Sequence, residues 1–581
     1  MNEAQARKNF QKAVNLQSTN RHEEAREIYE TLLQWFPERE SVLINLSACL
    51  IKTNKFSRLE QLIPRLEQLN NPVALLNAGS AHFNNHRATQ AAKCFQNAYL
   101  LDPSNTEILK SYSICLFKLK KPQAAASLCL KLASLTESPV DFGRAQYYFA
   151  SACDWTNESS TAQKANKSYP FFGISRNATE LENLDEAKRF LGETNQPDLQ
   201  RKTSLPLEPM PAKIRIGYLC GEFKEHATLK LVIGVLESHN PCEFEIYYFD
   251  NGIADRSSYR KRLDDTAGTI ISIRGLDDLA AIQTIKSLQI HILINLNGYF
   301  GEARNTIFFR RAAPIQISYL GYPATLAHPN LDYIIADPTV LPKENEQFFS
   351  EKVYRLPGCY QPNDDKRPLP KQASRSEYDL PSDDIFIFCC LNNTYKITEV
   401  MFSAWARILK AAPNSRLLLL ADNTDAEKNL TQKASELKIH NQILFQKRLP
   451  TIDYINALSL CDLFLDTSPY NAHTTGSDSL WAGTPILTLP QETFPSRVGL
   501  SLIRRAMLDE SLYVANNHDD YIAKALWLYQ HRTENTATKA QLRRSVESHG
   551  GFVNMREYTR WLETAYKTIY TAMVCKQNDE E

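Results

Sequence analysis

The chain has no C-x-x-C pair, no net charge, and no apolar run near the roughly 18 residues that a membrane span needs. Its 12 cysteines are scattered. Cys389 and Cys390 lie in a strand-like run and read as core thiols. A reduced cytoplasmic compartment is expected, without a disulfide framework or a zinc site. Lys plus Arg and Asp plus Glu both number 66, which argues against a nucleic-acid or membrane-surface binder and leaves room only for a local basic cleft. The opening, Met1 to Lys8, is charged and lacks the apolar stretch of a signal peptide. There is no G-x-x-x-x-G-K-[ST] and no G-x-G-x-x-G, which argues against an ATPase or a dinucleotide oxidoreductase. There is also no D-x-D triplet to carry a metal.

What is present falls into two regimes, and 581 residues call for two to four domains. With a period of about 34 residues, a small–aromatic–small–proline spacing occurs as Ala91, Phe95, Ala98 and Pro103. It occurs earlier as Ala25, Tyr29, Leu32 and Pro37, and more loosely as Ala125, Cys129 and Leu132. This is the pattern of tetratricopeptide helix pairs, closed by proline. Asn45 and Asn77 fall at about the same repeat position, where their amides would grip an extended peptide if they lined one concave face. Two solvated asparagines are the competing reading. A helix is predicted through Ala145–Ala152, then a Ser/Thr/Asn-rich stretch over 157–168 and a helical segment near 179–191. A linker is predicted over 193–212.

Beyond the linker the period changes to short β-rich runs at 214–219, 244–249, 269–272 and 291–296, with helical spacings between most of them. Strands alternating with helices predict a parallel, doubly wound sheet. The pattern restarts after a loop-rich zone at 357–378, with strands at 385–390 and 416–420 and a helix near 398–411. Two Rossmann-like halves with a cleft between them follow.

The richest segment runs from Asp466 to Pro485. A strand over 463–465 ends at Asp466, and a loop delivers His473, Thr474, Thr475 and Gly476 to a helix predicted over 477–482. Unpaired N–H groups and partial positive charge at a helix start suit a phosphate. Leu391 to Lys396 lies between a strand and a helix, at the strand ends where open α/β sheets bind ligands. There Lys396 brings a full positive charge, so a pyrophosphate leaving group would be neutralised without Mg²⁺. The first half offers Glu222–Thr228, Asn295–Tyr299 and Tyr319–Pro323 at strand ends. Glu222 and His226 are candidates for proton transfer on an acceptor hydroxyl, and Asn297, Gly298 and Gly321 read as backbone features that shape the cleft.

Together, Cys153-Asp-Trp155, E-F-x-x-H-x-T, I-H-I-L-I-N-L-N-G-Y, A-P-I-Q-x-x-Y-L-G-Y-P, L-N-N-T-Y-K-I and H-T-T-G-S-D-x-L-W-A-G-T-P resemble the O-linked N-acetylglucosamine transferase family, glycosyltransferase family 41. The likeness is to its bacterial members with few repeats, and it runs in family order to about residue 565. It implies a tetratricopeptide solenoid followed by a GT-B fold. The implied domains are repeats over 1–156, a connector and linker over 157–212, an acceptor-side half over 213–378 and a nucleotide-sugar half over 379–581. It also implies an inverting protein glycosyltransferase that uses a UDP-sugar as substrate, with no cofactor or metal and with a protein acceptor recruited by the repeats.

Carried over by resemblance, Lys396 stabilises the departing diphosphate, while His473, Thr474 and Thr475 form the pyrophosphate loop. Asp478 binds ribose, and Asn393 stands where the family usually has a nucleotide-contacting glutamine. His226 and Glu222 match an active-site histidine and aspartate, and Leu320, Gly321 and Pro323 the loop lining the sugar pocket. Tyr454 falls where the animal enzymes place a histidine against uracil, and a phenol ring still stacks on a base. Thr451 and Ala457 replace a lysine and an arginine. A further acceptor-site histidine has no counterpart near Tyr169–Phe172. Transfer of GlcNAc from UDP-GlcNAc to Ser/Thr is the expected reaction. N-glucosyl or O-fucosyl transfer, and a non-catalytic repeat scaffold, are the alternatives.

Overall fold

The computed structural model describes residues 1–53, 55–162, 169–192, 201–548 and 554–580. The predicted linker residues 193–200, and 163–168 of the polar stretch, lie outside them. The chain divides into two compact units, Met1–Asn166 with Asn423–Asp425, and Lys167–Asp422 with Ala426–Glu581.

The first unit is helical. Pairs form from Glu3–Ser18 with His22–Trp35, Glu40–Lys52 with Phe56–Gln68, Pro72–Asn84 with Ala88–Leu101, and Thr106–Lys118 with Pro122–Thr136. The next helix is Pro139–Ser151, followed by Trp155–Ala162. The repeat-defining side chains are core: Ala25, Tyr29, Leu32, Ala91, Phe95, Ala98, Ala125, Cys129 and Leu132 are all buried. Small residues there let paired helices approach while the aromatic fills the space between repeats. Asn77 does not face an open groove. It is buried, and its amide donates to the Ile44 carbonyl at 3.2 Å and to Ser47 Oγ at 2.8 Å. Asn45 is half-buried and donates to the Ser41 carbonyl one turn back, at 3.0 Å. The amide donors thus bond to helix and inter-helix partners, which corrects the expectation that these two form a peptide-gripping pair.

In the second unit seven strands are described in the first half: β1 (Ile214–Cys220), β2 (Phe244–Asp250), β3 (Thr269–Ser272), β4 (Ile292–Asn295), β5 (Ile315–Ser318), β6 (Tyr333–Ala336) and β7 (Lys352–Arg355). They form one parallel sheet in the order β3-β2-β1-β4-β5-β6-β7. The last two strands have no counterpart among the runs singled out in the sequence. The second half holds β8 (Phe386–Cys390), β9 (Ser415–Leu420), β10 (Ile443–Gln446), β11 (Leu463–Leu465) and β12 (Ile486–Leu487), parallel in the order β10-β9-β8-β11-β12. β4, β5, β8 and β11 are buried along their whole length, as continuous apolar strands covered on both faces must be.

The C-terminal helix Met555–Glu580 packs back on the first half. Tyr566 and Tyr218 share a hydroxyl contact at 3.0 Å, Tyr558 and Tyr319 another at 2.6 Å, and Glu563 meets His239 Nδ1 at 3.2 Å. These buried phenols bind the end of the chain to β1 and to the residue that follows β5, which fixes the two halves against each other.

Candidate donor and acceptor site

A cavity of about 500 Å³ opens between the two halves, beyond the carboxyl ends of both sheets. His226, Leu320 and Gly321 line it from the first half; Asn393, Lys396, Tyr454, His473, Thr474, Thr475 and Asp478 line it from the second. Ten of the residues singled out in the sequence therefore meet in one place. Glu222 and Pro323 do not line it.

Lys396 ends the turn Thr394–Lys396 after β8 and is buried. Its ammonium donates to the Asn471 carbonyl at 2.8 Å and sits 3.9 Å from the Tyr470 ring centroid. Burial lowers its pKa to about 8, against the opposing pull of the Asp466 carboxylate. Asp466 has no exposed surface and holds the loop together. It accepts from the Thr467 N–H at 2.8 Å, the Ala472 N–H at 2.6 Å and Thr488 Oγ1 at 2.7 Å. Burial raises its pKa to about 7.

The phosphate-type helix is Thr474–Trp481, three residues earlier than predicted from sequence, because His473 takes the cap position. Thr474 and Thr475 therefore form its first turn, where N–H groups have no intrahelical acceptor. Gly483 ends it with φ +84°, a left-handed conformation that favours glycine. Thr475 Oγ1 donates to Asn392 Oδ1, and Asn392 Nδ2 donates to Thr467 Oγ1 at 2.9 Å. His473 Nε2 donates to the Pro495 carbonyl at 3.2 Å; burial and the charge on Lys396 keep this imidazole well below its ordinary pKa.

Asp478 is bound by Arg367, whose Nη1 reaches its Oδ1 at 3.0 Å and Ser477 Oγ at 2.9 Å while the guanidinium stacks 4.5 Å over Trp481. Arg367 gave no signal in the sequence, since it lies in the loop-rich zone. Asn393 Oδ1 accepts from Arg448, itself paired with Asp422 at 2.7 Å. Thr451 accepts from Lys230 Nζ at 3.1 Å. Lys230 lies on the helix Ala227–Ser238 of the opposite half, so an ammonium stands beside Thr451.

On the first half, His226 caps Ala227–Ser238, its Nδ1 accepting from the Thr228 N–H at 3.2 Å. Glu222, expected as a proton-transfer group, is buried beneath this loop. It accepts from Asn297 Nδ2 and from the Glu302 N–H at 2.9 Å. It braces Asn297 and the Gly301–Glu302 turn and presents no atom to the cavity lining. Gly321 is required by close approach: a Cβ there would lie 2.0 Å from the Leu296 carbonyl oxygen.

An aromatic wall completes the site. His226 stacks on Phe300 at 5.4 Å, Phe300 meets Phe171 at 5.1 Å, and Phe171 meets Tyr395 at 6.0 Å. Tyr395 continues to Tyr470 at 6.2 Å, and Tyr470 to His473 at 4.8 Å. Phe171 comes from the short helix Pro170–Gly173. It fills the stretch where no acceptor-side histidine was found in the sequence.

The model of glycosyl transferase family 41 matches residues 200–372 and 364–562. The chain belongs to glycosyltransferase family 41. Among curated relatives, the probable UDP-N-acetylglucosamine–peptide N-acetylglucosaminyltransferase SEC of Arabidopsis thaliana is 35% identical over 361 residues. That alignment covers 61% of this chain and 37% of the relative. The UDP-N-acetylglucosamine–peptide N-acetylglucosaminyltransferase of Caenorhabditis elegans is 25% identical over 430 residues, covering 54% of this chain and 37% of its own. The alignments thus span less than two-fifths of these relatives' length. A solved O-GlcNAc transferase mutant from Thermobaculum terrenum matches at TM-score 0.72 and 21% identity, over 99% of both chains. That likeness concerns the fold, a helical repeat unit followed by the two Rossmann-like domains of a GT-B architecture. Among the described residues of this family 41 chain, no helix is long and apolar enough to cross a membrane.

Proposed function

We propose that this chain is an inverting, metal-independent protein glycosyltransferase that moves GlcNAc from UDP-GlcNAc to Ser or Thr hydroxyls. The observation that carries the reading is that Lys396 and the first turn of Thr474–Trp481 line one cavity, facing His226 and Gly321 of the other half. A diphosphate leaving group needs a buried cation and fixed N–H donors where charge develops, and these groups supply both. Tyr454 and Lys230 would hold the base end, and Asp478, fixed by Arg367, the ribose.

The acceptor hydroxyl attacks the anomeric carbon from the face opposite the diphosphate. The C–O bond to phosphate breaks as the new glycosidic bond forms, and a β-linkage results. The hydroxyl proton leaves to water or to a phosphate oxygen, since Glu222 is enclosed and His226 Nδ1 is engaged by the Thr228 N–H. The cavity-lining carboxylates, Glu225 and Asp478, are both paired, with Lys230 at 3.2 Å and Arg367 at 3.0 Å. A metal between them would have to break both pairs, so Lys396 takes the charge-neutralising role. Unbridged cysteines, all buried except Cys242 and Cys575, suit a reducing cytoplasm. The repeats serve to recruit the polypeptide.

The test is incubation of purified protein with labelled UDP-GlcNAc, UDP-glucose and GDP-fucose plus a cell extract, with and without EDTA. Transfer is expected from UDP-GlcNAc and to persist in EDTA. Transfer only from another donor would redirect the substrate assignment, and none from any donor would defeat the enzyme reading.

A further inference from the structure

Three side chains from successive helices of the repeat unit converge outside the donor cavity. Glu67 lies on Phe56–Gln68, His82 on Pro72–Asn84 and Cys94 on Ala88–Leu101. Their ligand-type atoms all lie within 4.8 Å of one another. Glu67 Oε1 is 2.8 Å from His82 Nε2 and 3.3 Å from Cys94 Sγ. His82 and Cys94 are buried, while the Glu67 side chain is 42% exposed. The spacing in sequence, 15 and then 12 residues, matches no zinc signature, so only the folded repeats bring the trio together.

We propose that Glu67, His82 and Cys94 form a site for one divalent ion of the zinc class, which clamps three helices of the repeat unit. One carboxylate oxygen, one imidazole nitrogen and one thiolate are a donor set of borderline softness, suited to zinc rather than to magnesium or calcium. Bonds of about 2.0–2.1 Å to N and O and about 2.3 Å to S place tetrahedral donors roughly 3.3–3.6 Å apart. Glu67 lies 2.8 Å and 3.3 Å from its two partners and the third side is at most 4.8 Å, so the donors must shift to reach that spacing, and Glu67, the exposed member, has the freedom to adjust. Its open side gives the ion an entry path and leaves room for water as fourth ligand.

Coordination sends the Cys94 thiol proton to solvent and requires His82 to carry its remaining proton on Nδ1. That atom is buried and has no partner among the described residues, so the site binds more weakly than one whose histidine is braced by a carboxylate. Binding to the folded repeats alone then stabilises them in proportion to ion concentration.

The experiment is a Co(II) titration of the full chain, read as the sulfur-to-cobalt charge-transfer band, followed by displacement with Zn(II). One equivalent per chain is expected, with loss of the band in Cys94→Ser and at least tenfold weaker binding in His82→Gln. No band in the native chain, or an undiminished band in Cys94→Ser, overturns the proposal. Where either variant loses helical circular dichroism, Glu67→Gln at the exposed position carries the test. Weakened binding there supports the site, and unchanged affinity overturns it.

Discussion

The Lys396 ammonium donates to the Asn471 carbonyl oxygen at 2.8 Å. The loop that leads into the helix N-terminus therefore also aims the cation. Asn471 is itself held, its Nδ2 donating to the Thr467 carbonyl at 2.7 Å and its Oδ1 accepting from the Gly499 N–H at 3.2 Å. Charge and backbone dipole are thus fixed by one buried network around Asp466. Preorganisation of this kind lets a site stabilise a leaving group without rearranging during reaction.

The protonation state of that network should be visible in the pH profile. Lys396, with its pKa lowered to about 8, loses its charge as pH rises through that value. We expect kcat/KM to fall on the alkaline side with a midpoint near pH 8. Asp466 favours the charged lysine, so Asp466→Asn should shift the alkaline limb to lower pH. An unmoved limb in that variant would detach Asp466 from Lys396.

Glu222 separates two roles cleanly. A general base contributes about 10²–10⁴-fold to rate, whereas a bracing residue acts through stability. Glu222→Gln should keep kcat within a few-fold while lowering the melting temperature, because Asn297 Nδ2 and the Glu302 N–H reach different carboxylate oxygens and the amide replaces one of them with an NH2 that cannot accept. A loss of a hundredfold or more in kcat with unchanged stability would restore Glu222 to the chemistry.

Tyr454 lines the cavity and its hydroxyl has no hydrogen-bond partner among the described residues. If its face carries the base, Tyr454→Phe should bind nucleotide as the native chain does. Tyr454→Ala should lose ~1–3 kcal/mol of binding, the range for one base–aromatic stack. Calorimetry with UDP measures both, and equal affinity in all three proteins would remove Tyr454 from the base site.

Arg367 and Asp478 are both shielded from solvent, with side chains 4% and 15% exposed. Arg367→Ala strands the carboxylate, and breaking a buried pair costs about 3–5 kcal/mol. Lower thermal stability and a raised KM for the donor should appear together. A changed melting temperature with an unchanged KM would make the pair purely structural.

Much of this site is legible in the sequence because it lies where strand, loop and helix signals coincide. Lys396, Thr474 and Thr475 sit in loops between an apolar run and a helical pattern, and helix starts bind anions for reasons that short motifs carry. The helix start was displaced by three residues, since the backbone of His473 rather than the apolar pattern sets the cap. Arg367, Lys230 and Phe171 were invisible. Each reaches the site through a tertiary contact, from a loop, from the opposite half and from a four-residue helix. Glu222 is hidden for a related reason, because the sequence places it near the site but only packing shows that its carboxylate turns inward. Asn77 fails in the same way, its amide taken up by Ile44 and Ser47 of the preceding repeat.

The most direct measurement is single-turnover transfer of labelled GlcNAc from UDP-GlcNAc to an acceptor protein, comparing the native chain with Lys396→Ala. Loss of one preorganised charge-stabilising donor lowers rates by about 10²–10³, and a buried cation should lie at the upper end of that range. We expect a drop of that size in a variant that still folds and still binds UDP. Transfer at the native rate by a folded Lys396→Ala would contradict the assignment of this cavity as the place where the diphosphate departs.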